Sequence, residues 1–329
     1  MSAPSGGRRI FGTVTARFRA VRTPGTLRPT VAPSATLPLL AVATTLVLWA
    51  SAFVAIRHLG RDISPGPLSL GRLVVGSLCL GAVLATRSWQ RPAPSDWPRL
   101  VAIGVLWFGV YNLALNEGER RVDAGTAAML IQVAPVLIAL LATVFLGEQS
   151  TPALWAGLVV AFTGVAVISL SGTPDGRRDP LGVALCLLSA AAYAVSLILQ
   201  KPVMARLASL QATWVACTVG AVVCLPFAPD LVREASTLPA ADLAWWVYLG
   251  VFPTAVAFTT YGYALTHMNV SKLGVTTYLV PPITVGLAWL LLAETPPALA
   301  YVGGALCLAG VALTRRRPRR RALDPAPPG

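Results

Sequence analysis

Charge is what this sequence has least of. Only 12% of its 329 residues are Asp, Glu, Lys or Arg, about half the share that soluble globular domains carry. So few charges cannot cover a soluble surface of this size, and the mean hydropathy of +0.69 agrees. The composition points to an integral membrane protein and away from a cytosolic enzyme. Histidine occurs only twice, at His58 and His267, and the five cysteines (Cys79, Cys186, Cys217, Cys224, Cys307) form no CxxC pair. No metal centre, disulfide framework or cofactor is expected from such spacing. A phosphate-cradling Walker loop is missing, which excludes ATP drive within this chain. A DxxD pair or His/acid cluster inside an apolar run is missing too. Such a cluster would support the first alternative weighed here, an integral membrane enzyme. The second alternative is a membrane scaffold that transports nothing.

Acid is scarcer than base, 13 residues against 26. The excess lies at the ends: six arginines precede residue 30 and six more run from Arg315 to Arg321. A nearly charge-free middle between two basic tails does not suit nucleic acid as a partner. It suits a lipid bilayer.

From residue 37 onward the chain reads as ten apolar spans, about 37–58, 65–86, 97–116, 123–146, 152–171, 180–200, 209–228, 243–265, 270–293 and 297–314. Each is close to the ~20 residues that cross a bilayer as a helix, and too continuously apolar for the alternation of a barrel strand. An even number of spans puts both termini on one side. With the termini inside, inner segments hold 18 Lys/Arg and outer loops 7. The positive-inside tendency therefore predicts cytoplasmic termini, in a plasma-membrane protein. The tails decide this, because the internal loops nearly balance.

The two halves resemble each other. Pro135-x12-Glu148 recurs as Pro281-x12-Glu294, 146 residues later, and residues 135–166 match 281–312 at nine of 32 positions, where chance in so apolar a sequence gives about three. Trp49 with Arg57 likewise matches Tyr193 with Lys201 at an offset of 144. Five spans per copy is an odd number, so the second copy must enter the membrane inverted. Inverted repeats build a site near the bilayer midplane between halves that can rock. The expected fold is all-α, with ten transmembrane helices in two inverted five-helix repeats. The predicted layout is a disordered basic tail at 1–36, repeats at 37–171 and 180–314, and a basic tail at 315–329.

Several motifs resemble the EamA family of the drug/metabolite transporter superfamily. They are the run Trp49 to Arg57 in span one, Pro67 followed by Arg72 in span two, and Ala124-Gly125-Thr126-Ala127-Ala128 leading through Pro135 to Leu146-Gly147-Glu148. The second half repeats the last as Pro281 and Leu292-Ala293-Glu294. The resemblance covers about residues 37–314. It implies a secondary transporter with two EamA domains that exports small metabolites such as amino acids or drug-like compounds by alternating access. A small-molecule substrate is then the partner, and a homodimer is left open.

Arg72, about 10 Å down span two, is an intramembrane charge and thus a candidate functional group. It can bind an anionic substrate, pair with Glu117 or Glu119, or snorkel to the interface. Trp49, Tyr111, Asn112, Gln132, Tyr193 and Tyr261 complete the candidate substrate pathway, chosen because they fall in equivalent spans of both halves. Pro135 and Pro281 are candidate hinges, since proline removes a helical hydrogen bond. Glu148 and Glu294 are helix-end carboxylates expected to cap the following helix. The central parts of the ten spans hold no Asp, Glu or His, so movement is expected to be facilitated or exchange-type, driven by substrate gradients, or else any proton coupling runs through the span-end acids Glu117, Glu148 and Glu294.

Overall fold

The computed structural model describes residues 36–146, 151–170, 179–267 and 276–314. Both tails and Glu148 lie outside the described residues. Every described element is helical. α1 is Thr36–Leu59 and α2 is Pro65–Ala85. α3 runs through Trp97–Ile103, Gly104–Val110 and Tyr111–Glu119. α4 (Ala124–Ile131) and α5 (Ala134–Leu146) follow with a two-residue break between them. α6 is Pro152–Leu170, α7 is Pro180–Met204, α8 is Ser209–Val223 and α9 is Ala228–Ala235. α10 runs through Ala240–Leu249, Gly250–Val256 and Ala257–His267. α11 is Val280–Leu292 and α12 is Ala298–Thr314.

Seven of these helical runs are long and apolar enough to cross a membrane. An eighth is the pair Ser209–Val223 and Leu225–Ala235, bent by 51°. Two further apolar helices are shorter. This is a multi-pass, all-α membrane protein. Exposed side chains such as Leu78, Val159, Trp289 and Leu290 need an apolar solvent, and lipid provides it. The seventh apolar run therefore ends as a straight helix at Val223, earlier than its hydropathy suggests, because the chain turns at the Leu225–Phe227 3-10 segment.

Local chemistry explains the helix starts. Pro65 and Pro180 occupy the first turn of α2 and α7, where a missing N–H costs nothing. Asp123 caps α4 by accepting from Thr126 N (2.8 Å), and Asp179 caps α7 by accepting from Gly182 N (2.9 Å).

Packing relies on small residues, as helix contacts in lipid generally do. α6 and α12 cross at Gly164 and Gly303, and again at Gly157 and Gly310. Between the two crossings Cys307 Sγ donates to Ala161 O at 3.4 Å. α3 and α10 each contain a π-helical stretch, Gly104–Val110 and Gly250–Val256, 146 residues apart. Gly104 lies against Val219 and the Ala216 carbonyl of α8, while Gly250 lies against Val75 and the Arg72 carbonyl of α2. Both widened turns thus approach a neighbouring helix closely through a glycine.

Candidate functional site

A row of aromatic rings crosses the bundle where α1, α10, α3 and α7 meet. Trp49 on α1 lies 5.0 Å from Tyr261 and 5.8 Å from Phe258, centroid to centroid, both on α10. Phe258 reaches Trp107 (5.4 Å) and Phe108 (5.7 Å) on α3. Trp107 meets Tyr193 of α7 at 5.0 Å, and Tyr193 is 6.4 Å from Tyr111. These are tilted and edge-on contacts, the geometry that ring quadrupoles favour. Trp49, Trp107, Tyr111, Tyr193, Phe258 and Tyr261 are all half-buried.

The π-helical stretches aim this row. Trp107 and Phe108 lie within one of them. A wide turn rotates the helix face and weakens its carbonyls' usual partnerships, and side chains take these up. Asn112 Nδ2 donates to Trp107 O (3.3 Å) and Phe108 O (2.9 Å). In the other stretch Thr254 Oγ1 donates to Leu249 O, five residues back, at 2.9 Å.

Arg72 is buried, with 8% exposure, so it does not snorkel. Its Nε donates to Thr254 Oγ1 at 3.0 Å, one helical turn before Phe258. Among the described residues that is its one protein hydrogen bond, and the two Nη groups are left without a protein acceptor. It forms no pair with Glu117, which instead holds Arg121 (2.7 Å) and Arg120 (3.5 Å). Tyr111 and Glu119 are within electrostatic reach of the guanidinium.

Gln132 stands apart from the aromatic row. It closes α4 at the break ahead of α5, and its Nε2 donates to Thr277 O at 2.8 Å. Thr277 opens the 3-10 segment Thr277–Leu279 that precedes α11. The break between α4 and α5 therefore touches the 3-10 turn that leads into α11. Pro135 is the second residue of α5 and Pro281 the second of α11, so Pro135 lies just past the α4–α5 break and Pro281 just past the 3-10 turn.

Charges gather at one end of the bundle. α11 stops at Leu292, Ala293 adopts φ 53°, and the turn presents Glu294 to α1. Arg57 Nε donates to Glu294 Oε2 at 3.0 Å, Arg61 Nη2 to Glu294 Oε1 at 3.0 Å, and Arg57 Nη1 to the Glu119 carbonyl at 2.8 Å. Glu294 was expected to cap the next helix. It ties α1 to α11 instead, because two guanidiniums outcompete the orphan amides of a helix start. Nearby, Asp123 is buried. It accepts hydrogen bonds from the Thr126 backbone N–H and hydroxyl. At the opposite end Asp96 pairs with Arg206, which holds its carboxyl below the usual range.

The structure thus brings Trp49, Tyr111, Tyr193 and Tyr261 into one row, with Asn112 and Arg72 beside it. Sequence reasoning passed over Trp107 and Phe258, which join that row, and Thr254, which accepts from Arg72. Trp107 precedes Tyr111 by four residues and Phe258 precedes Tyr261 by three, so helical spacing was the available signal.

A family described as the EamA-like transporter family has a model that matches this sequence twice, over residues 36–170 and 180–316. A protein of Streptantibioticus cattleyicolor named "Probable terminal-alkyne amino-acid exporter" is 40% identical over 290 residues, 88% of this chain and 97% of that one. The transporter YdfC of Bacillus subtilis is 28% identical over 81% of this chain and 87% of its own. A transporter of Archaeoglobus fulgidus is 27% identical over 84% and 98%. A solved crystal structure superposes with a TM-score of 0.57 at 20% identity, over 85% of this chain and 96% of that one, a likeness in fold alone.

Proposed function

We propose, from the premise that the chain belongs to the EamA-like transporter family, that it is a secondary transporter exporting small amino-acid-like metabolites across the plasma membrane by alternating access. The single observation that carries the substrate reading is Arg72. A buried guanidinium with an uncommitted Nη edge, next to a row of half-buried aromatic rings, suits a carboxylate held in bidentate fashion. The rings suit an apolar side chain, or an ammonium group over a ring face. The relative named as an amino-acid exporter supports the same class.

The cycle uses two inverted five-helix repeats, 37–171 and 180–314, with ten crossings once the bent pair and the two shorter helices are counted. Three features support this reading: the π-helical stretches 146 residues apart, the Gly164–Gly303 and Gly157–Gly310 crossings that exchange under the same offset, and the hydrogen bond from Gln132 at the α4–α5 break to Thr277 ahead of α11. Trp49, Tyr111, Asn112, Tyr193 and Tyr261 line the pathway with Arg72, and Gln132 holds the α4–α5 break to the turn ahead of α11. Pro135 and Pro281 let these helices bend. Glu148 and Glu294 serve opposite ends, with both termini cytoplasmic and residues 1–36 and 315–329 as basic tails.

The test is counterflow of labelled neutral amino acids in proteoliposomes. Trp49→Ala and Tyr193→Ala each lower it by about tenfold or more, a loss of about 1.4 kcal/mol, at unchanged protein abundance. Single cysteines at positions 49 and 193, in a variant lacking the native five, react with a polar thiol reagent. Full activity of both alanine variants, with both cysteines inert in every state, overturns the assignment.

A further inference from the structure

Asn112, Asn116 and Glu119 occupy one stripe of α3 at spacings of four and three residues. All three are buried, at 4%, 1% and 0% exposure. Asn112 Oδ1, Asn116 Oδ1 and both carboxyl oxygens of Glu119 have no hydrogen-bond partner among the described residues. The amide orientations follow from their neighbours. Asn112 Nδ2 donates to two backbone carbonyls, which accept only. Asn116 Nδ2 donates to Ser69 Oγ (2.9 Å), whose own hydroxyl proton goes to Pro65 O (2.7 Å). The two amide oxygens are therefore acceptors, and with the Glu119 carboxyl they are strung over about 10 Å of helix. They run from the aromatic row to the end where Arg57 binds Glu294.

We propose that this stripe is a proton path and that Glu119 is the group that carries the proton. The assignment rests on the transport reading above and gives it a coupling ion. Four oxygens spread over two helical turns cannot converge on one metal cation, whose oxygen ligands must lie within about 2.6 Å of it. A file of hydrogen-bond donors fits that spacing, and such a file conducts protons. An ionised carboxylate buried without a donor is costly, whereas the neutral acid carries an O–H of its own. Binding moves a proton from water at the Arg57 end onto a Glu119 carboxylate oxygen, forming the O–H bond. Release breaks that bond and returns the proton to water. The Asn112 and Asn116 amides accept hydrogen bonds along the file and are not themselves protonated.

The groups around Glu119 make the step consequential for opening. They are Arg57 on α1, Arg72 on α2, Tyr111 on α3 itself, Asp123 at the start of α4, Cys186 on α7 and Glu294 beyond α11. Arg57 already rests on the Glu119 carbonyl while its Nε holds Glu294. When Glu119 loses its proton, its carboxylate competes for Arg57 and loosens the tie between α1 and α11. Arg72 senses the same charge from the substrate side.

The first experiment is infrared difference spectroscopy of the purified full chain at neutral pH, with hydrogen–deuterium exchange to mark carboxylic acids. The wild type shows the carbonyl stretch of a protonated carboxyl. Glu119→Gln loses it, and Glu117→Gln keeps it. Should the glutamine variant fail to fold, Glu119→Asp, which retains the acid, must shift the band. A band that is absent from the wild type, unchanged in Glu119→Gln or unshifted in Glu119→Asp overturns the proposal. The second experiment uses proteoliposomes and labelled neutral amino acids. An imposed pH gradient drives uphill uptake by the wild type about tenfold better than by folded Glu119→Gln, equivalent to about 1.4 kcal/mol. Equal response of the two to the gradient overturns the proposal. Absence of wild-type counterflow sinks the transport reading instead, and the infrared result still decides the proton site.

Discussion

Gly164 and Gly303 cross so closely that a Cβ added to either would lie 2.5 Å from the other's carbonyl oxygen. No side chain can yield there, since the obstacle is backbone on both sides. The α6–α12 contact exists because both residues lack a Cβ.

Substitution at this crossing is therefore expected to destabilise the fold. Gly164→Leu should lower stability by about 1–3 kcal/mol or more, the range for overpacking a close contact. Gly286→Ala is the control, because nothing lies within 4 Å of its added Cβ. Thermal unfolding in detergent decides the matter. Equal melting temperatures for the two variants would contradict the packing argument.

Arg57 and Glu294 should be energetically coupled. Both side chains are mostly buried, at 19% and 16% exposure, and their charged atoms lie 3.0 Å apart. A double-mutant cycle with Arg57→Ala and Glu294→Ala is expected to return about 1–3 kcal/mol of coupling in unfolding experiments. Arg61, more exposed at 54%, should contribute less. Strict additivity of the Arg57 and Glu294 effects would show that the pair holds nothing together.

Asp96 predicts an acid-side loss of stability. Its carboxyl is held low by the Arg206 hydrogen bond, against the opposing effect of burial. The depressed group stabilises the folded chain above the unfolded carboxyl's pKa of about 3.9, and that contribution fades as pH falls through the folded value. Wild type should outmelt Asp96→Asn at pH 7 and lose its advantage below about pH 4. A gap between the two that does not change from pH 7 to pH 3 would refute the prediction.

Orientation should depend on the tails. A reporter active only outside the cell, fused after Thr314, is expected to stay silent. Replacing the arginines from 315 to 321 should weaken that preference, because the internal loops nearly cancel. An active fusion on the unaltered chain would reverse the proposed topology.

The membrane class and the helical architecture were legible in the sequence, because a helix that faces lipid must be apolar along a length set by the bilayer. Trp49, Tyr111, Tyr193 and Tyr261 were legible as candidates too, since polar aromatics inside apolar runs stand out by type. Their assembly was not. The rings that bridge Trp49 to Tyr193 are Phe258 and Trp107, and in an apolar sequence a Phe facing the row looks like a Phe facing lipid. The π-helical stretches that aim them carry no composition of their own. Glu294 was visible as a helix-end acid, but its partners come from Arg57 and Arg61, more than two hundred residues away. In the sequence Glu119 stood beside Glu117 as an equal candidate partner for Arg72. Only the tertiary structure buries it at 0% exposure while Glu117, two residues earlier, meets arginines. Composition and hydropathy are sums over neighbours along the chain, and they determined the class. The desolvation of one carboxyl depends on neighbours in space, which only the folded bundle supplies.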